Sequence, residues 1–148
     1  MSRRRPLRDI LIQILPGAGD WQDAIRLSLQ PLIDTHCIEP RYSEAIIANT
    51  LEFGPYYIIM PDIALVHGRP SQGVRCNGFS LTRFEDPILF PNMEDPVHLF
   101  LAMSANDDES HLKDMQTLSD ILLDEEAVER LRSGRTEEDL KRIFRETA

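Results

Sequence analysis

Cysteine is scarce in this chain, with Cys37 and Cys76 as the only two among 148 residues. Their spacing matches no metal-ligand pattern, and two thiols far apart in sequence are typical of a protein from a reducing compartment. We therefore expect both to be reduced side chains that behave as small buried hydrophobes. A cytoplasmic location follows from that expectation.

Long hydrophobic runs are also missing. No window approaches the roughly 20 apolar residues that a membrane span needs, so we expect no membrane insertion. The basic cluster at residues 3–5 and the apolar residues after it loosely resemble a signal peptide. Arg8, Asp9 and Gln13 interrupt that apolar stretch, which excludes the signal-peptide interpretation.

Positive charge is in short supply, since 16 Lys or Arg oppose 25 Asp or Glu for a formal net charge of -9. Residues 94–126 contain ten carboxylates and only one basic side chain, Lys113. A nucleic-acid partner is therefore disfavoured, because binding to a phosphate backbone needs a basic surface. The cluster at residues 3–5 is interpreted first as a solvated tail and second as a weak docking element. A protein partner with a basic surface would suit this charge.

The length fits one domain, residues 1–148, of which residues 1–19 could form a loosely attached N-terminal segment. Helical spacing of apolar residues begins at Trp21 behind the N-cap candidate Asp20, and Pro31 should kink or break this helix. Further helices are predicted over 43–53, from an acidic stretch at 106–110 to about 122, over 125–132 and over 136–146. Strands are predicted over 56–60, 63–66, 74–81, 88–90 and 97–105. The last strand is apolar nearly throughout, which predicts helices on both faces of the sheet and an α/β or α+β sandwich.

His67 lies where the apolar run 63–66 gives way to Gly68-Arg69-Pro70. Loops at the ends of strands commonly carry ligand-handling groups, and a neutral imidazole is available as a nucleophile at neutral pH. Attack on a phosphoryl group would form a phosphohistidine. Arg69 and the backbone N–H groups of the loop at Gly68 are candidate donors to the transferring oxygens. The residues alone leave a structural role for His67 open.

The other three histidines divide into one candidate and two structural residues. His111 falls in the first turn of a predicted helix, where free N–H groups could help it hold an anion. The alternative is a surface histidine just after the N-cap Ser110. His36 follows a helix end and His98 lies within an apolar strand, so we interpret both as structural, the latter as hydrogen-bonded.

Carboxylates near these histidines are ambiguous. Asp62, Asp107 and Asp108 could orient an imidazole through its second nitrogen, or they could cap turns and helices. No third ligand stands at a recognisable spacing for a metal, so we expect neither a metal nor a cofactor. A small hydrolase with His67 as general base is a further alternative, but it lacks a nucleophile and a metal-activated water.

The run from Gly54 to Pro70 resembles the active-site segment of enzyme IIA proteins of the mannitol and fructose type, which belong to the phosphoenolpyruvate-dependent sugar phosphotransferase system of bacteria. The resemblance covers roughly residues 20–147. Further matches are Trp21 with Ala24-Ile25, Glu39-Pro40-Arg41-Tyr42, Gly73-Val74, Asn77-Gly78 and Ser104-Ala105 before His111. The ascorbate-specific branch is most similar at Gly54-Pro55-Tyr56-Tyr57, at Gly68-Arg69-Pro70 and at Arg132 with Arg135-Thr136-Glu137.

This resemblance implies an α/β fold with a mixed sheet of about five strands sandwiched between helices. It implies that His67 takes phosphate from the phosphocarrier HPr and passes it to a cognate enzyme IIB, which feeds a membrane permease, enzyme IIC. His111 would support the phosphoryl group in the same pocket. The protein would be a cytoplasmic phosphotransferase component without a cofactor, serving ascorbate or a related sugar acid.

Two departures from the family pattern lie close to the nucleophile. Val66 stands where the family usually has proline, so the chain has an additional backbone N–H and a freer approach to His67. The basic residue that some mannitol-type members carry in the preceding helix has no counterpart; Asn49 and Thr50 occupy that neighbourhood. A homodimer stays open, as does a regulatory enzyme IIA-like module that controls a transcription factor or an enzyme instead of transport.

Overall fold

The computed structural model describes residues 9–146, so the basic cluster at residues 3–5 lies outside the described part. Five strands form one sheet: β1 (Leu11–Leu15), β2 (Ile58–Met60), β3 (Asp62–Val66), β4 (Gly78–Ile88) and β5 (Val97–Ser104). The helices are α1 (Trp21–Asp34), α2 (Pro40–Phe53), α3 (Asp108–Leu122), α4 (Glu125–Ser133) and α5 (Glu137–Arg145), and a 3-10 turn covers Pro70–Gln72. The strand order is β1-β4-β5-β3-β2.

The sheet is mixed, as predicted. Strand β1 is parallel to β4 and β3 is parallel to β5, whereas the β4/β5 and β2/β3 pairs are antiparallel. Helices α1 and α2 cover one face, and α3, α4 and α5 cover the other. Alternate residues of β5 enter the two cores, with Leu99 and Leu101 on one face and Phe100 and Ala102 on the other. This period of two explains why β5 is apolar throughout and confirms the predicted sandwich.

Strand β1 was absent from the sequence prediction, which placed residues 11–15 in a loosely attached segment. The strand is only partly buried at the edge of the sheet, and the polar Gln13 interrupts its apolar pattern. The Gln13 amide donates to the Leu27 carbonyl at 2.7 Å and to the Thr82 hydroxyl at 2.8 Å. Residues 11–15 therefore belong to the sheet.

Helix α1 continues through Pro31 to Asp34, so the predicted break does not occur. Gln13 explains why the helix tolerates this proline. Proline has no N–H to donate to the carbonyl four residues before it. That carbonyl belongs to Leu27, and the side chain of Gln13 satisfies it instead. The contact joins two segments distant in sequence, and local propensity cannot reveal it.

Strand β4 replaces two predicted strands, 74–81 and 88–90. The polar stretch between them looked like a loop, yet Thr82 and Arg83 are buried within the strand. The guanidinium of Arg83 donates to the main-chain carbonyls of Leu131, Arg132 and Gly134 at the end of α4. Backbone acceptors of a helix terminus therefore compensate the buried charge.

Cys37 and Cys76 form a disulfide, so the expectation of two separate reduced thiols is wrong. An isolated antiparallel bridge between Ile38 and Val74 brings the two loops together, and the Cα atoms of the cysteines lie 4.7 Å apart. A separation of 39 residues gives no sign of this pairing in the sequence. The thiol argument for a cytoplasmic location is lost with it. Among residues 9–146, none of the helices has both the length and the apolar character to cross a membrane.

Candidate functional site

His67 directly follows the last residue of β3, a strand buried from Ile63 to Val66. Val66, at the usual proline position, is fully buried and aligned with Ala102 of β5. Valine therefore extends the sheet as far as the residue before the histidine. A rigid strand with both faces covered thus holds His67 at the edge of the sheet.

One ring nitrogen of His67 is held by the histidine's own strand. The Nδ1 atom lies 2.7 Å from the carbonyl oxygen of Leu65. Because a carbonyl oxygen can only accept, Nδ1 carries the proton of the neutral ring, and Nε2 keeps the lone pair. Burial lowers the pKa of His67; the bond to Leu65 opposes this, and the charge of His111 lowers the pKa further. The ring is therefore neutral, with Nε2 as the nucleophilic atom, at neutral pH.

His111 is brought to the same pocket, as expected. The ring centroids of the two histidines are 5.4 Å apart and their planes are inclined by 59°. Helix α3 begins one turn before His111, and its N-cap is Asp107, whose carboxylate accepts from the Ser110 amide at 2.7 Å. The expectation of Ser110 as the N-cap is therefore wrong.

The pocket between α2, the His67 loop and the start of α3 has a volume of about 500 Å³. Arg69, Asn49 and Asp108 line it beside the two histidines. Burial raises the pKa of Tyr56, and the positive charge of Arg69 opposes that rise, so a positive charge lies beside the pocket. Asn49 also interacts with Tyr56. A cation and an amide therefore line the pocket.

The peptide bond between His67 and Gly68 is held at both polar ends. The Tyr56 hydroxyl donates to the His67 carbonyl at 2.9 Å, and the Gly68 amide donates to the Tyr42 hydroxyl at 2.8 Å. The next amide, of Arg69, donates to the Gln72 side chain at 2.8 Å. These two amides are therefore not free donors, contrary to the expectation for the loop at Gly68, although Gly68 lines the pocket.

Two large side chains that line the pocket are exposed, and so is the apolar side chain that follows His111 in the sequence. Phe53, at the end of α2, and Leu112, next to His111, are 69% and 73% exposed. Tyr56 also lines the pocket and is 42% exposed. Exposed apolar groups that border a polar site commonly mark a protein-binding surface.

Asp62, His98 and His36 do not line this pocket. His98 is hydrogen-bonded to Asp62, with Nδ1 at 2.7 Å from the carboxylate, as the structural interpretation predicts. Asp62 also pairs with Arg132 of α4 at 3.1 Å. Since Asp62 begins β3 and His67 follows its end, this carboxylate orients His98 and not the nucleophile. His36 is exposed in the turn after α1.

Sequence reasoning missed the contributions of Tyr42 and Tyr56. Both stand in segments that resemble the family, Glu39-Pro40-Arg41-Tyr42 and Gly54-Pro55-Tyr56-Tyr57. Neither has a local pattern that indicates contact with a loop at 67–68. Only the fold, which brings α2 and the segment after it to the His67 loop, reveals it.

Comparison with known proteins shows the family of this chain. Residues 5–147 match the family described as phosphoenolpyruvate-dependent sugar phosphotransferase system, EIIA 2. The mannitol-specific cryptic phosphotransferase enzyme IIA component of Escherichia coli (strain K12) is 39% identical over 133 residues, or 90% of each chain. The ascorbate-specific PTS system EIIA component of the same strain is 36% identical over 141 residues, or 90% of this chain and 92% of the relative.

Solved structures show the same fold. The solution structure of the E. coli mannitol-specific cryptic enzyme IIA is similar at a TM-score of 0.85 with 37% identity, over 94% of this chain and 93% of the other. An E. coli mannitol enzyme IIA, solved in complex with phosphorylated enzyme IIB, shares the fold at a TM-score of 0.73 with 22% identity, over 90% and 98% of the two chains. The chain therefore belongs to the EIIA 2 family of the phosphoenolpyruvate-dependent sugar phosphotransferase system, whose members are phosphotransfer components.

Proposed function

We propose that His67 accepts a phosphoryl group from phosphorylated HPr and passes it to a cognate enzyme IIB, which serves a membrane permease. One observation carries the proposal: the Leu65 carbonyl holds the Nδ1 proton and so leaves Nε2 of His67 as a nucleophile in an open pocket. A protein with these partners works in the cytoplasm.

The transfer balances without a cofactor. The Nε2 lone pair attacks phosphorus, the new N–P bond forms, and the N–P bond of the donor histidine breaks with its electron pair returning to the donor ring. The His67 ring gains positive character, which the Leu65 carbonyl stabilises through the Nδ1 proton. The same steps in reverse deliver the group to the enzyme IIB side chain.

The phosphoryl oxygens need donors that do not have to rearrange. The ring N–H of His111, the guanidinium of Arg69 and the amide of Asn49 are the groups that we propose for this role. All three line the pocket with His67.

We propose the apolar rim of Phe53, Tyr56 and Leu112 as the docking surface for both partner proteins. The two partners must reach the same histidine in turn, so each complex must dissociate quickly. A small apolar rim around an open pocket suits weak and reversible contact. A basic partner surface would speed the encounter with this acidic protein. The proposal does not require a homodimer.

For the transported solute we propose ascorbate or a related sugar acid, on the basis of the residues at 54–57 and 68–70 that most resemble that branch. Mannitol is the second candidate, because a relative named for it is 39% identical. Transfer rates to an ascorbate-type and a mannitol-type enzyme IIB would distinguish them. The regulatory alternative is not favoured, since these relatives are named as sugar-specific components.

The test is phosphotransfer from phosphoenolpyruvate through enzyme I and HPr. We expect the wild-type chain to take up one label that is lost in acid and kept in alkali. His67→Asn should abolish the label. His36→Asn, the control at an exposed histidine outside the pocket, should keep it. Equal labelling of both variants would contradict the proposal.

A further inference from the structure

We propose that Tyr42 and Tyr56 are positioning residues that together clamp the His67–Gly68 peptide unit and thereby aim the nucleophile. This inference rests on the proposed function of His67. It adds a role for two hydroxyl groups that bind the main chain at His67 and Gly68.

The two hydroxyls hold the two ends of a single peptide unit. Tyr56, from the segment between α2 and β2, donates to its carbonyl at 2.9 Å. Tyr42, from the first turn of α2, accepts from its amide at 2.8 Å. A peptide unit bound at both ends cannot rotate about its flanking bonds without losing a hydrogen bond. The clamp therefore fixes both the position of the His67 Cα and the direction of its Cα–Cβ bond.

Tyr56 also restrains the side chain of His67. The Tyr56 ring meets the His67 ring edge to face, with centroids 5.6 Å apart and planes at 90°. The Leu65 carbonyl restrains the other side of the imidazole through Nδ1. Both side-chain torsions of His67 are therefore restricted before any partner arrives.

Tyr42 also connects the nucleophile to the chain that leads to His111. Its hydroxyl donates to the Met103 carbonyl at 2.9 Å, near the end of β5, and helix α3 follows a few residues later. The phenol is fully buried, and burial raises the pKa of Tyr42 to about 12. It therefore stays neutral and keeps both bonds across the physiological pH range.

Residue 68 independently indicates a close fit. A Cβ on Gly68 would come within 2.9 Å of Gln72 Oε1, 3.1 Å of the Tyr42 ring and 3.3 Å of Ile46. A side chain at residue 68 would therefore force the Gln72 side chain and the Tyr42 ring to shift. Such contact is expected where a reacting group must be held within a fraction of an ångström.

The test compares Tyr42→Phe and Tyr56→Phe with Tyr57→Phe. Tyr57 is a matched control, because it is buried and its hydroxyl is paired with Thr50 at 2.9 Å, away from the His67 loop. We expect Tyr42→Phe and Tyr56→Phe to lower the maximal single-turnover rate of transfer from phospho-HPr about 10- to 100-fold. Half-saturation should be unchanged in Tyr42→Phe, because Tyr42 is buried away from the proposed docking surface. Tyr57→Phe should keep the wild-type rate even if it is less stable.

Amide exchange gives a readout that does not depend on phosphotransfer. The Gly68 amide should exchange faster in Tyr42→Phe than in wild type, and it should be unchanged in Tyr57→Phe. If wild type is never labelled, the proposed function fails, and amide exchange still tests the clamp. An equal loss of rate in all three variants, or unchanged Gly68 exchange in Tyr42→Phe, would overturn the clamp.

Discussion

The imidazole rings of His67 and His111 face one pocket with their centroids 5.4 Å apart. One ring follows a buried strand and the other lies in the first turn of α3, so the two are carried by rigid elements. In the proposed mechanism, a phosphoryl group on Nε2 of His67 would accept a hydrogen bond from the His111 ring. We propose that the pair combines a nucleophile with a donor for the charge that it receives.

Removal of the His111 ring should slow transfer without abolishing it. We expect His111→Ala to keep the label on His67 and to lower the transfer rate about 100-fold, the usual effect of losing one donor to developing charge. Rapid-quench measurement of single-turnover transfer checks this. A rate equal to wild type would remove His111 from the mechanism.

The pH dependence of transfer should follow the lowered pKa of His67. Only the neutral ring attacks, so the rate should stay high below the ordinary histidine pKa of about 6.5 and fall as pH drops through the lowered value. His111→Ala should move the midpoint upwards, because it removes a like charge and part of the burial. NMR titration of the His67 ring measures both midpoints, and a midpoint above the ordinary value would contradict this explanation.

The same shift affects stability in acid. A histidine that regains its ordinary pKa on unfolding makes the unfolded chain bind more protons between the two pKa values. The contribution of neutral His67 to the free energy of unfolding is therefore lost as pH falls below about 6.5. Denaturant unfolding at several pH values should show that the free energy of unfolding falls less in acid for His67→Asn than for wild type.

Gly68→Ala should disturb the site while leaving the fold intact. The added Cβ would press on Gln72 and the Tyr42 ring, so we expect transfer to fall more than tenfold through misplacement of His67. Gly19→Ala is the control, because its Cβ would meet only Asp23 at an ordinary 3.6 Å. Equal activity of the two variants would show that the close fit at residue 68 is dispensable.

The disulfide between Cys37 and Cys76 should raise the free energy of unfolding by a measurable amount. It closes a loop of 39 residues, which corresponds to about 2–4 kcal/mol in the free energy of unfolding. Denaturant unfolding with and without a reductant should differ by that amount in wild type and not in the double Cys→Ser variant. Two titratable thiols in the folded, unreduced protein would contradict the pairing.

Much of the fold could be predicted from the sequence, because helix and strand periods are local. The two-sided burial of β5 follows from its apolar run, and the caps at Asp20 and Thr136 follow from residue type. Long-range compensation could not be predicted. Gln13 donates to the Leu27 carbonyl that Pro31 leaves without a partner, and Arg83 donates to a carbonyl at the end of α4. Both contacts join segments that are distant in sequence and meet only in the folded sheet.

The candidate site also has residues that could be predicted from the sequence and contacts that could not. His67 and His111 stand at element boundaries, and a family resemblance assigns them roles. The hydroxyls of Tyr42 and Tyr56 act across the fold on a single peptide unit. No spacing in the sequence indicates such contacts, since they depend on how α2 and the segment after it lie beside the His67 loop.

The most direct test of the central claim is to identify the phosphorylated atom. The chain, phosphorylated through HPr and labelled with ¹⁵N histidine, should show by ³¹P and ¹⁵N NMR one phosphoryl group, bound to Nε2 of His67. The Nδ1 proton of that ring should remain bonded to the Leu65 carbonyl. A phosphoryl group on Nδ1, or on any residue other than His67, would contradict the account.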